Sequence, residues 1–77
     1  MVYQFIRDGR PIGRVMLYPG MQPIIDGGLW GIIARLPSSQ AILPFVDPVH
    51  FGHLLTGLSN HPIIIPGQGV IMVQKHG

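Results

Sequence analysis

The sequence predicts a mainly all-β domain: a small barrel or sandwich of six or seven short antiparallel strands, with one short helix near residues 48–58. Two observations carry this expectation. The apolar runs are short, rich in Ile and Val, and bounded by Pro and Gly, which together supply 19 of the 77 residues; that is strand-and-turn patterning. Leu, Ile, Val and Phe number 27, about 35% of the chain, well above the roughly 20% below which a chain stays disordered. A chain this short makes one domain, 1–77. With no cysteine, neither a disulfide framework nor a thiolate metal cage staples it.

Val2 to Arg7 reads as a first strand and Asp8-Gly9 as a turn. Ile12 to Tyr18 follows as a second strand, joined to the first by a loop of about four residues. Pro19-Gly20 is a turn in which proline presets φ and glycine accepts a positive φ. Gln22 to Ile25 is a short strand, pushed to an edge by Pro23. Leu29 to Leu36 has apolar residues at helical spacing behind Asp26. Its glycines at 27, 28 and 31 each cost roughly 1 kcal/mol in a helix, so strand is expected. Gln40 to Val46 is read as another strand. Asp47-Pro48 starts the helix, with an aspartate cap and proline in the first turn, and His50, Leu54 and Leu58 recur at four-residue spacing. Ile63 to Pro66 and Val70 to Lys75 form a last hairpin around Gly67-Gln68-Gly69.

Charge is the anomaly. Five basic residues (Arg7, Arg10, Arg14, Arg35, Lys75) and three acidic ones (Asp8, Asp26, Asp47) make 10% of the chain, with no Glu. Soluble domains average about 25%. Eight charges cannot cover the exterior of a small domain, so apolar surface is expected outside. Contiguous apolar exposure beyond a few hundred Å² marks an interaction surface. The stretch 48–74 has no Asp, Glu, Lys or Arg, yet its prolines, glycines and polar residues break it far short of the roughly 20 apolar residues of a membrane-spanning helix. The start of the chain lacks a basic segment followed by an apolar core, so no signal peptide is expected, leaving a cytoplasmic or virion-associated location.

One passage has the look of a motif. Asp47-Pro48-Val49-His50-Phe51-Gly52-His53 resembles the H-x-G-H signature of nucleotidyltransferases, in particular the nicotinate mononucleotide adenylyltransferases; the resemblance implies a phosphate-binding role for His50 and His53 on a parallel α/β fold. It spans about ten residues. The glycines that precede the signature in that family are here Ile42, Leu43 and Pro44, and only 24 residues follow His53, too few for the βα crossovers of a parallel sheet. Asp47, His50, His53 and His61 also have side chains adequate for zinc. On a regular helix, however, positions i and i+6 diverge, so no metal or cofactor is expected. Ser38, Ser39, Thr56 and Ser59 sit in no nucleophile elbow, and the three Asp occupy turn or cap positions. A non-enzymatic role follows.

Two functions remain. The first is a structural or assembly protein: a small oligomeric β subunit packing against copies of itself or a larger scaffold, with Trp30, Phe45, Phe51 and Met72 as interface anchors. The composition is similar to that of small virion-decoration or capsid-associated subunits. The alternative is a small barrel binding single-stranded nucleic acid. Arg7, Arg10, Arg14, Arg35 and Lys75 would meet the phosphates, and Tyr3 and Phe5, on one strand face with Tyr18 and Trp30 nearby, would stack on the bases.

Overall fold

A computed structural model of the chain describes residues 1–37 and 43–76. Five antiparallel strands form one open sheet: β1 (Val2–Arg7), β2 (Arg10–Met16), β3 (Ile24–Ile25), β4 (Ile63–Ile65) and β5 (Gly69–His76), in the order β3-β2-β1-β5-β4. The helical segments are a 3₁₀ turn at Gly27–Leu29 running into α1 (Trp30–Ile33), then α2 (Leu43–Val46) and α3 (Pro48–Leu58). The mainly β character and the short helix at 48–58 agree with the sequence. Among the described residues the sheet has five strands and is not closed into a barrel, so the six or seven strands expected from the sequence are not confirmed.

The first hairpin is tighter than expected. Asp8 and Gly9 both take positive φ, 49° and 84°, the two-residue geometry whose twist matches that of paired strands. As a result β2 begins at Arg10, and a bulge between Phe5 and Ile6 absorbs the register shift opposite Pro11. This first turn is tied to the second hairpin. Asp8 N–H donates to Val70 O (3.0 Å) and Val70 N–H donates to the Asp8 carboxylate (3.1 Å). Arg7 donates to Gln68 O (2.9 Å) and to the Gln68 side-chain oxygen (2.6 Å).

Strand alternation sends Tyr3, Phe5, Val15, Ile63, Ile65, Ile71 and Val73 to one face, where they meet Leu29, Ile32, Ile33, Leu36, Phe51 and Leu55. All the buried residues of the 3₁₀ turn, α1 and α3 belong to this one cluster, so these helices lie on a single side of the sheet. This corrects the reading of Leu29 to Leu36 as a strand. Four buried apolar side chains at helical spacing recover more than the glycines cost: each apolar side chain buried is worth about 1.5–3 kcal/mol, against roughly 1 kcal/mol per glycine. Of the strand expected over Gln40 to Val46, residues 40–42 lie outside the described residues and 43–46 are helical. Only Ile24 and Ile25 of the Gln22 to Ile25 run pair, at the sheet edge.

The caps are local and legible. Asp47 accepts the His50 N–H (3.0 Å) ahead of Pro48, satisfying one orphan donor of α3. Asp26 accepts the Arg14 N–H (2.8 Å), fixing the approach to the 3₁₀ turn. The fully buried Phe51 anchors α3 on the sheet. Phe51→Ala is expected to cost about 3–5 kcal/mol, most of the stability of a domain this small. His53→Ala, at an exposed position one helical step away, should shift stability by less than about 0.5 kcal/mol. Urea denaturation followed by circular dichroism checks both.

Candidate binding groove and uncovered sheet face

Two apolar surfaces remain once the core is formed. The first is a groove of about 750 Å³ where α3 diverges from the Tyr18–Met21 turn. That turn is built as the sequence dictates: Pro19 leads, Gly20 takes φ 73°, and Met21 N–H donates to Tyr18 O (3.2 Å). Leu17, Tyr18, Pro19 and Met21 form one wall, Pro48 and Val49 the other, and Tyr3 and Gly52 the floor. The Tyr3 hydroxyl lies 2.9 Å from the Thr56 hydroxyl and donates to Gly52 O at 3.3 Å. The one polar atom of the floor is thus satisfied by the protein itself, and the groove presents hydrocarbon to whatever enters it. His53 and Lys75 complete the lining, and no acidic side chain contributes.

Gly52 explains why the groove is deep. A Cβ there would stand 3.3 Å from Leu17 Cδ1 and 3.9 Å from the Tyr3 hydroxyl. Glycine within a helix costs roughly 1 kcal/mol relative to alanine, and here it lets α3 lie close over the floor without filling it. Val49, 70% exposed on the outward side of the first turn of α3, is apolar where a solvated helix would carry a polar residue.

The second surface is the other face of the sheet. Antiparallel sheets with one solvated face normally carry polar residues on it. Here the outward positions are Val2, Gln4 and Ile6 on β1, Arg14 and Met16 on β2, Ile24 on β3, Ile64 on β4, and Val70, Met72, Gln74 and His76 on β5. Gln4 and Gln74 stand opposite each other in the middle. A shallow hollow of about 290 Å³ is bordered by Ile6, Val70 and Met72 together with Asp8, Gly9 and Gln74, and Ile64 projects nearby, 81% exposed.

The residues singled out in the sequence separate on this framework. Met72 lies on the uncovered sheet face. Trp30 is half-buried and pairs with the exposed Phe45, ring centroids 5.4 Å apart. Phe51 is core, not an interface anchor, because it is the α3 residue directed into the cluster. The stacking platform is also corrected. Tyr3 and Phe5 do share a strand face, but that face is the interior, at 1% and 0% exposure. Of the cations, Arg7 is engaged with Gln68 and Arg35 donates to Gly31 O (2.8 Å), while Arg10 and Arg14 are exposed on β2. His50 and His53 are exposed along α3, and among the described residues no three His or Asp side chains come together in a metal-binding group. No helix among the described residues is long and apolar enough to cross a membrane.

Sequence reasoning missed Leu17, Met21, Val49 and Gly52. Their signal was available: a Pro-Gly turn flanked by large apolar residues, and a helix whose first turn is apolar on both sides. Tyr3→Phe removes the hydroxyl that ties the floor to α3 and should cost about 0.5–1.5 kcal/mol in urea denaturation, with the strand register unchanged in amide chemical shifts. Comparison with protein-family models, curated proteins and solved structures finds no match to this chain.

Proposed function

We propose that the chain is a non-enzymatic assembly subunit that associates with a second copy of itself through the uncovered sheet face. The observation that carries this reading is the run of apolar residues, Val2, Ile6, Met16, Ile24, Ile64, Val70 and Met72, on the face opposite the buried cluster. Two sheets with such faces stack about 10 Å apart with their side chains interdigitated.

Size and charge favour a like partner. Strands of six, seven, two, three and eight residues cover roughly 400 Å² in projection at ~3.3 Å rise and ~4.8 Å spacing. Accessible area exceeds projected area, which brings a face-to-face pair near the ~1,000 Å² total at which specific interfaces begin. Arg14 lies across from Gln4 and Gln74 in a polar row through the middle of the face, Asp8 borders the hollow and His76 ends β5; a second copy, which carries the same few charges of both signs among apolar residues, suits such a surface. The projecting Ile64 and the hollow at Ile6, Val70 and Met72 lie on one surface, a knob and a hole that a two-fold axis can pair reciprocally. Seating on a larger scaffold would use the same face, and the virion-type role belongs to that form.

Light scattering coupled to size-exclusion chromatography at micromolar concentration should give twice the chain mass of 8.4 kDa. The double variant Ile64→Lys, Met72→Lys should be monomeric with an unchanged circular dichroism spectrum. A monomeric parent chain, or a double variant that keeps the dimeric mass, overturns the reading. Because Tyr3 and Phe5 are interior, a labelled single-stranded oligonucleotide at low salt should show no saturable anisotropy change.

A further inference from the structure

We infer that the groove between α3 and the Tyr18–Met21 turn is a binding site for a long-chain carboxylate, its hydrocarbon lying along Leu17, Met21 and Val49 and its head group meeting Lys75. This goes beyond self-association: the groove opens on the helical side of the molecule, away from the sheet face assigned to the second copy.

The lining sets the chemistry of the occupant. Its walls are hydrocarbon, and the Tyr3 hydroxyl on the floor already has Thr56 and Gly52 as partners, so the body of the ligand makes no polar contact there. Lys75 lies directly across from Tyr3 in the β1–β5 register and on the same face, which places a cationic side chain beside the floor. With His53 as the other basic side chain and no acid in the lining, the groove complements an apolar body that ends in an anion.

Three alternatives fit less well. A second copy would have to bring an acidic side chain, but the chain's three carboxylates are Asp8, Asp26 and Asp47, each bonded to a backbone amide elsewhere. A peptide helix would bring backbone polar groups at its ends and side chains on every face, whereas the groove lining offers it few polar partners. A cationic amphiphile would meet Lys75 with like charge. A volume of this size lies within the ~300–1,000 Å³ range of small-molecule sites, and Met1 and Met21, both in the lining, are unbranched side chains that adapt to a flexible chain.

The test is calorimetric titration of the full chain with sodium dodecanoate below its micellar concentration, with amide chemical shifts locating the site. One molecule should bind per chain, with shifts at Leu17, Gly52 and Val49. Decanoate should bind about fifteenfold more weakly, at ~0.8 kcal/mol per methylene. Lys75→Gln should weaken dodecanoate about two- to fivefold and leave dodecanol unchanged. Val49→Asp, whose carboxylate suits the first turn of a helix and so preserves the fold, should abolish dodecanoate binding. Absence of saturable binding, affinity independent of chain length, equal loss for dodecanol and dodecanoate in Lys75→Gln, or shifts confined to Ile6, Ile64 and Met72 would each overturn the proposal. The Ile64→Lys, Met72→Lys variant should bind dodecanoate normally, which separates failure of this site from failure of the self-association reading.

Discussion

Among the described residues the chain makes too little helix to roof both sides of its five-stranded sheet, and this shortfall governs the rest of the molecule. The 3₁₀ turn, α1 and α3 contribute five buried apolar side chains to the cluster, Leu36 just beyond α1 adds a sixth, and together they close one face. The other face keeps its apolar residues without a roof. In a typical half-buried sheet the outward positions would be charged or polar, and the strands would alternate cleanly. Here the outward phase is mixed, with Val2, Ile6, Met16, Val70 and Met72 alternating with Gln4, Arg14 and Gln74, so more of it is apolar than a wholly solvated face would carry.

Charge poverty and the open face have the same origin. Asp8, Asp26 and Asp47 each accept a backbone N–H, at the hairpin tie, the approach to the 3₁₀ turn and the start of α3. They hold segments in register; Asp8 also borders the hollow on the open face, while the groove beside α3 has no acidic side chain in its lining. Arg7 is likewise committed to Gln68. What remains to face solvent is a small set of charges beside broad hydrocarbon, and that combination underlies both proposals: a second copy on the sheet and an anionic amphiphile in the groove.

Much of the fold was legible because short-range chemistry decides it. Asp8-Gly9, Pro19-Gly20 and Gly67 to Gly69 mark turns that the backbone then makes, and Asp47-Pro48 caps the helix it announces. The errors arose where long-range burial overrides local preference. Gly27, Gly28 and Gly31 argue against helix, yet Leu29, Ile32, Ile33 and Leu36 bury only if the segment coils. The orientation of β1 was the other loss. Val2, Tyr3, Gln4, Phe5 and Ile6 have no polar phase, so alternation alone cannot say which side faces inward. Phe51 and Met72 looked alike as anchors, and their helix phase and strand register alone separate them. Most of the groove escaped notice because it is assembled from residues 17–21 and 48–56, segments distant in sequence that meet only because α3 packs on the sheet face carrying Tyr3.

The two outermost strands are very short, two residues in β3 and three in β4. Unpaired backbone along a sheet margin is the usual seed of fibrous growth, and long bare margins invite it. A margin this brief offers a neighbouring chain only a few amide and carbonyl groups. The Arg10–Gly13 stretch of β2, which β3 does not reach, also lies at the margin, but there Arg10 and Pro11 blunt it with a charge and a missing donor. In the proposed self-association, stacking would therefore win over lateral extension and give closed particles of fixed number instead of open-ended fibrils.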